Sequence, residues 1–402
     1  MNTKYIEALR PNVQFRASSI GLIIIFCVMY QVYLYEISET GVFAGPFWQR
    51  LVLKLVGLTI FYLSIFNSLS VRALLSNFVL KLPLIFIAMV TMLVSPFLGP
   101  YELQVLNLCF FIPLLAFDFN KIEGTYLFNH IFKILSIILV AQVILDPVLK
   151  VITGIGYANS ALIGGVGNAN SFGYLLLCSA IYCLVCLKNK TAFYFLCLAS
   201  LFTGSLLILI LSATIVFFNL LDNIRNLRFS GLAFIVILVS TVSAILVFFY
   251  PDYVGKIYTG LNHSMGKFES LLSYAEGNKA TSASIALREE YTLEGLRLVM
   301  ENPLSLFVGH PNGIAMYTGD GWWLSLLVTH GLLVVLLFFI CNIFVLLRGF
   351  RLKSSEGRFA AYIIALTCVV FLSNRILDYW PAAIVYVFAF AYVCNSKIKI
   401  VK

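Results

Sequence analysis

Two arginines on one helical segment are the first candidates for chemistry in this chain. Residues 284–302 have the spacing of an amphipathic helix. At about 100° per residue, Arg297 shares its face with Glu294 and Glu301 at ion-pair spacing, whereas Arg288 lies opposite, with no acidic residue three or four positions away. Because a planar guanidinium binds diphosphate oxygens bidentately, Arg288 is a candidate catalytic anion contact. The alternative is a pairing with a distant carboxylate or a lipid headgroup.

Further candidates accompany this helix. Tyr291 shares the face of the unpaired arginine and is a candidate substrate contact. His310 lies in a glycine-rich turn, either as an acid, base or anion contact or as an ordinary polar loop residue. Asp320 can orient or deprotonate a sugar hydroxyl, or it can serve as a helix N-cap. The adjacent indoles of Trp322 and Trp323 suit the membrane interface or stacking on sugars.

Composition decides which elements must position these residues. Of 402 residues, 61% are hydrophobic and 11% are charged, whereas soluble proteins carry roughly 25% charged residues. This deficit argues against a soluble enzyme, a nucleic-acid binder or a disordered scaffold and predicts an integral membrane protein. The net charge of +9 is explained by basic residues that set orientation, not by a nucleic-acid partner.

The predicted fold is an all-α, polytopic transmembrane bundle of about twelve spans. The apolar runs lie at approximately 17–35, 50–67, 79–98, 101–118, 127–147, 168–187, 191–203, 205–221, 229–250, 322–347, 359–375 and 379–395. The chain therefore divides into spans 1 to 9 (1–250), a large external loop containing short helices (251–321) and spans 10 to 12 (322–402). The distribution of Lys and Arg predicts that both termini are cytoplasmic. If the seventh and eighth spans were one broken span, the loops after them would invert.

Other candidate substrate-binding residues lie near the external ends of spans. Asn168 and Asn170 follow a glycine-rich segment at the mouth of the sixth span. Arg50 and Arg375 are cations predicted near the external surface. Arg375 has Asp378 three residues later, so the alternative interpretation is a satisfied ion pair.

The order of these motifs resembles the bacterial superfamily of O-antigen polymerases and O-antigen ligases. The resemblance covers about 160–345 and rests on short degenerate motifs in order. These are Gly167-Asn168-Ala169-Asn170, Thr203-Gly204-Ser205, Arg288 upstream of Asn302-Pro303-Leu304, then Gly309, Asp320-Gly321-Trp322-Trp323-Leu324 and His330-Gly331-Leu332-Leu333. Two departures matter. Ligases typically have His-Asn where this chain has Asp320-Gly321, which favours the polymerase branch, and Leu206 replaces an arginine common in both branches.

The resemblance implies a glycosyltransferase of lipopolysaccharide O-antigen biosynthesis in the bacterial inner membrane. It would join oligosaccharide repeats linked to undecaprenyl diphosphate at the periplasmic face, so that loop 251–321 is periplasmic. The bilayer and a polysaccharide chain-length regulator are the implied partners. No cofactor or metal ion is expected. Two alternatives stay open: an O-antigen ligase that transfers glycan to lipid A core, and a polytopic transporter of lipid-linked sugars, for which Lys54, Lys81 and Lys133 would be the intramembrane cations.

Overall fold

The structure, a computed structural model, describes residues 16–26, 47–94, 107–120, 122–153, 161–224, 283–310, 313 and 321–397. Within these ranges the regular structure is helical, and the extended backbone forms a single isolated bridge between Leu69 and Phe117. The predicted all-α class is therefore confirmed for the described part of the chain. The predicted span at 229–250 lies outside the described residues, and so does the part of the predicted loop before residue 283.

The helices follow one another with short connections over most of the described chain. The α-helices are α1 (Arg16–Phe26), α2 (Phe47–Ile65), α3 (Val71–Leu75), α4 (Phe78–Val94), α5 (Ile122–Thr153), α6 (Ala169–Val185), α7 (Lys190–Leu201), α8 (Leu206–Ile224), α9 (Ala283–Met300), α10 (Pro303–Val308), α11 (Trp322–Arg351), α12 (Ser355–Val370) and α13 (Trp380–Asn395). Short 3-10 helices lie at Phe66–Ser68, Cys109–Ala116, Gly164–Val166 and Ile376–Asp378.

The chain forms two compact units. The first unit comprises Met1–Ile25, Gly57–Lys133 and Lys279–Lys402, and the second comprises Phe26–Val56 and Ile134–Asn278. In the first unit, α11 packs against α4, α9, α10, α12 and α13. In the second, α6, α7 and α8 pack against one another. Helix α13 is buried along its whole length, so it forms the core of the first unit.

Two described helices are long and apolar enough to cross a membrane: Gly124–Leu149 within α5, and α11. The apolar window of α11 is only 33% buried, and that of α5 is 50% buried. These helices suggest association with a membrane by their length and composition.

Most predicted spans coincide with observed helices, but the predicted span at 101–118 does not form one α-helix. Its described part contains the 3-10 helix Cys109–Ala116 and then extended backbone at Phe117. Pro113 lies inside this segment, and proline lacks the N–H and blocks the carbonyl four residues before it. The prediction of a continuous helix was wrong there because hydropathy does not register this constraint.

The chain breaks between two helices at the predicted boundary of the seventh and eighth spans, as two separate spans or one broken span would both require. Helix α7 ends at Leu201 and α8 begins at Leu206. Gly204 between them has φ +70°, a conformation that glycine adopts without steric cost. The chain therefore turns sharply at this point.

Lys81 is a buried cation held by backbone and amide oxygens. Its Nζ donates hydrogen bonds to the carbonyl oxygens of Ala73 at 2.6 Å, Leu74 at 3.0 Å and Leu115 at 3.1 Å, and to Oδ1 of Asn395 at 2.6 Å. Asn395 in turn donates from Nδ2 to Leu115 O at 2.9 Å. A buried charge is tolerated when its hydrogen-bonding capacity is satisfied, and here it fastens the end of α13 to α3 and α4.

Candidate functional site

The candidate site is built around a break in α11. Gly331 has φ +79° and ψ 171° inside this helix, a conformation that is costly for residues other than glycine. A Cβ atom at this position would lie 2.3 Å from the Phe307 carbonyl oxygen and 2.5 Å from Gly309 N. Glycine therefore both breaks the helix and lets the chain after α10 approach its backbone.

The segment formed by α9 and α10 packs against the first half of α11. Leu298 and Val299 of α9 form a buried cluster with Val328. The N-cap of α10 is Asn302, whose Oδ1 accepts from Leu304 N at 2.9 Å. Because a break interrupts the helical ladder, nearby carbonyls need other donors, and Val328 O accepts from His310 N at 2.7 Å.

Replacing Gly331 by alanine is expected to weaken this packing. The strained backbone alone costs about 1–3 kcal/mol, and the new Cβ would collide with Phe307 O. We expect a lower midpoint of thermal unfolding in detergent and faster proteolysis within α9 and α10. Gly321→Ala is the matched control, since Gly321 has φ −75° and its new Cβ would meet its nearest neighbour at 3.2 Å. Equal behaviour of the two variants would contradict the assigned role of Gly331.

A polar cleft lies beside the first half of α11, within the first unit. It has about 460 Å³ of empty space, including the part open to the exterior. Its lining combines hydroxyls, an imidazole and an ion pair with apolar side chains: Ile87, Thr91, Leu108, Trp322, Ser325, Leu326, Thr329, His330, Arg375 and Asp378.

An ion pair forms one side of the cleft. Nε of Arg375 lies 2.8 Å from Oδ2 of Asp378, and both side chains are mostly buried. The Asp378 carbonyl accepts a hydrogen bond from Nδ2 of Asn107. Burial raises the pKa of the Asp378 carboxyl, and the Arg375 guanidinium opposes that rise. The ion pair predicted from the spacing of these two residues is thus observed, and it places Arg375 in the cleft with its charge balanced.

The cleft lining also contains a hydrogen-bonded hydroxyl and imidazole. Oγ1 of Thr329 lies 2.7 Å from Ser325 O and 2.5 Å from Nδ1 of His330. His330 is 7% exposed. Its Nε2 is buried and forms no hydrogen bond with any group in the described ranges. The Ile87 carbonyl also approaches the ring, so hydroxyl and carbonyl oxygens surround this imidazole.

The two tryptophans predicted as substrate contacts have different environments. Trp322 lines the cleft and stacks on Phe371, with ring centroids 4.3 Å apart and planes at 28°. Trp323 donates from Nε1 to Cys368 O at 3.0 Å. The structure thus brings Trp322 to the cleft and uses Trp323 to join α11 to α12.

The structure describes the three predicted catalytic residues to different extents, and none of them is among the cleft-lining residues. His310 lies after α10, with Nε2 3.7 Å from Oε2 of Glu301. Arg288 is in α9, but its side chain is outside the described set, and Asp320 lies outside the described residues altogether. The N-cap of α11 is Gly321, so the interpretation of Asp320 as the N-cap was wrong. That interpretation requires a helix that begins at residue 321, and α11 begins at Trp322. Tyr291 is half-buried in α9.

The remaining predicted substrate contacts belong to the second unit. Asn168 caps α6, its Oδ1 accepting from Ser171 N at 3.0 Å. Asn170 lies in the first turn of α6 and is half-buried. Arg50 is in α2, and its side chain is not among those described. The motif at Thr203 lies close to α6, because a Cβ on Gly173 would be 2.9 Å from Thr203 Oγ1.

Sequence reasoning missed His330 and Thr329 as site residues. His330 was noted only as part of a motif within a span, because an apolar run hides which side chains face a cleft. The available signal was Gly331 directly after it: a glycine next to a polar pair inside an apolar helix indicates a break at a site.

The arrangement combines hydroxyls, an imidazole and a balanced ion pair. Among the described residues there is no group of three or more His, Cys, Asp or Glu suited to a metal ion. Neither a protein-family model nor a curated protein sequence matches the chain.

Proposed function

We propose that this chain is a polytopic inner-membrane glycosyltransferase of the O-antigen polymerase type, which joins oligosaccharide repeats carried on undecaprenyl diphosphate at the periplasmic face. The observation that carries the proposal is the packing of α9 and α10, the segment that holds Arg288, on the broken part of α11 beside the polar cleft. The order of the motifs from Gly167 to Leu333, which resembles that of the O-antigen polymerase and ligase superfamily, also supports the proposal.

The exposed surface of α11 supports the membrane part of the proposal. Large apolar side chains are exposed along its second half, among them Leu336 at 46%, Leu337 at 56% and Phe344 at 57%. A helix in the core of a soluble protein buries such residues, whereas a helix facing lipid exposes them. Both termini are then cytoplasmic, in keeping with the basic segments on that side.

The face of α9 that carries position 288 packs on α11 further along, at Val299, which supports a role for Arg288 in the proposed reaction. By helical register, position 288 shares a face with Gly295 and Val299, which are both buried, whereas Arg297 on the opposite face is exposed. In the proposed reaction, a hydroxyl of the acceptor repeat attacks the anomeric carbon of the donor, and the lipid diphosphate leaves with its electron pair. Arg288 stabilises the charge that grows on the diphosphate.

The other predicted site residues take supporting roles in this proposal. Trp322 offers an aromatic surface to a sugar in the cleft, and Arg375 lies there with Asp378. His310 and Asp320 are proposed as polar contacts of the substrate. The candidates of the second unit, with Tyr291, remain proposed substrate contacts: Arg50, Asn168 and Asn170.

The contacts of Lys81 weigh against the transporter alternative. A transporter places ionisable groups where they bind and release a substrate or an ion, yet the Lys81 ammonium is fully engaged with four structural oxygens. The ligase alternative is disfavoured by Asp320-Gly321 in place of His-Asn.

A deletion strain and its complement test the proposal. Lipopolysaccharide of the deletion strain is separated by electrophoresis, and we expect lipid A core carrying one repeat, with the full ladder restored by the wild-type chain. Bare core in the deletion strain would identify a ligase instead. A block that leaves lipid-linked repeats on the cytoplasmic side would indicate a transporter, and an unchanged ladder would overturn all three.

A further inference from the structure

Helix α9 has two exposed stripes of different chemistry. One stripe is charged: Glu290, Glu294, Arg297 and Glu301. The other stripe is apolar: Leu293, Leu296 and Met300. Residues three or four positions apart lie on one side of a helix, and at about 100° per residue the two stripes are neighbours on its surface. A third side of α9 packs on α11, where Leu298 and Val299 form a buried cluster with Val328.

Helix α10 adds a second exposed apolar face. It begins at Pro303, directly after α9, and the two helices contact each other. Leu304 is 63% exposed, and Phe307 and Val308 are exposed as well. Together α9 and α10 thus expose six large apolar side chains. Such a concentration of exposed apolar groups is typical of a surface that binds a partner or a membrane.

The position of α10 along α11 indicates its depth in a bilayer. The Phe307 carbonyl lies against the backbone at Gly331. Arg348, in the last turn of α11, donates to the carbonyl oxygens of Val393 and Ser396. At 1.5 Å per residue, Gly331 is about 26 Å from Arg348 along the helix, and the hydrocarbon core of a bilayer is about 30 Å thick. With Arg348 at the cytoplasmic boundary, where basic residues accumulate, α10 lies close to the outer boundary.

We infer that the exposed apolar faces of α9 and α10 dock on the acyl chains of the outer leaflet, with the charged stripe of α9 beside the lipid headgroups. An interfacial amphipathic helix has this arrangement, its apolar side inserted about 5–10 Å at the boundary between headgroups and acyl chains. The exposed apolar surface of α11 begins directly after the break, with Leu333 54% exposed, so lipid already covers the adjoining surface. This inference rests on the membrane part of the proposed function. The segment that carries Arg288 is thereby anchored at the leaflet that holds the lipid-linked substrate.

Spin labelling of the full-length protein in liposomes tests the inference. A nitroxide is attached at Met300→Cys or Leu304→Cys, and its collisions with oxygen, which concentrates among acyl chains, are compared with its collisions with a water-soluble nickel chelate. We expect the logarithm of the oxygen-to-nickel collision ratio to be positive at both positions. Glu294→Cys on the charged stripe is the matched control, and there the logarithm should be negative. The liposomes contain no undecaprenyl lipid, so the label reports on bilayer lipid alone.

Native cysteines contribute a background that wild-type protein labelled in parallel supplies. The eight described cysteines are buried or half-buried, so this background is expected to be small. Met300 is 77% exposed and Leu304 63% exposed, so a label at either position is expected to leave the fold intact.

The outcomes at Met300→Cys and Leu304→Cys separate the possible occupants of this surface. A negative logarithm would place the surface in water. Few collisions with either reagent would mean that protein covers it, a second copy of the chain included. Either result would overturn the inference.

Phe344→Cys, on the second half of α11, separates failure of the inference from failure of the membrane assignment. Phe344 is 57% exposed, and its label should collide mainly with oxygen. If it does so while the labels on α9 and α10 are in water, only the docking surface is lost. If the Phe344→Cys label is in water too, the membrane part of the proposed function falls together with the inference. Polymerase activity does not enter the measurement, so the deletion strain decides the reaction independently.

Discussion

Replacing Arg288 by alanine is expected to abolish polymerisation while the amount of protein in the membrane stays normal. The guanidinium is assigned to the diphosphate that leaves with growing negative charge, and loss of one such preorganised contact costs roughly 10² to 10³ in rate. Arg288→Lys should be intermediate, because an ammonium keeps the charge but not the bidentate geometry. The measurement is the lipopolysaccharide ladder of a deletion strain that expresses each variant, with membrane protein quantified by immunoblot.

Arg297→Ala is the matched control on the same helix. Arg297 is exposed and lies on the face opposite Arg288, so its removal should leave most of the ladder intact. Long chains of equal abundance in both alanine variants would remove Arg288 from the reaction. Equal loss in both, with reduced protein in the membrane, would instead indicate that α9 is needed only for folding.

The arrangement of α9 shows what sequence periodicity is able to predict. Its residues predicted a two-sided helix, and the structure buries Gly295 and Val299 while exposing Glu294 and Arg297. The helix itself was predictable from this pattern, but its buried face was predictable only in part, since Leu293 and Met300 are exposed. The Arg375–Asp378 pair was predictable for a similar local reason: the two residues lie three positions apart.

The break in α11 and the cleft beside it were not predictable in the same way. Hydropathy treats 322–347 as one uninterrupted span, and glycine is common in membrane helices without breaking them. The positive φ of Gly331 arises with the close approach of Phe307 and Gly309, a contact between segments that no local pattern encodes. The position of Thr329 and His330 in a cleft that Thr91 of another helix also lines depends in turn on how the helices pack. Functional roles in this cleft therefore depend on tertiary contacts.

The ion pair in the cleft is expected to contribute to stability mainly through the cost of breaking it. Arg375→Met leaves the buried Asp378 without the cation at 2.8 Å, and losing one partner of a buried pair costs about 3–5 kcal/mol. The double variant Arg375→Met/Asp378→Asn removes both charges and should recover most of that loss. The measurement is the midpoint of thermal unfolding in detergent for the wild type, both single variants and the double variant.

The pH dependence of stability is a second test of the same ion pair. In the wild type, burial raises the pKa of Asp378 and Arg375 opposes it, so without the arginine the pKa rises further. A carboxyl whose folded pKa exceeds its unfolded value destabilises the folded state when ionised, and this penalty fades as the pH falls towards the ordinary carboxyl range near about 4. The deficit of Arg375→Met relative to the wild type should therefore shrink on acidification, whereas the double variant should show no such recovery. A deficit of Arg375→Met that is constant with pH would mean that Asp378 is solvated rather than buried, and that the arginine contributes through packing alone.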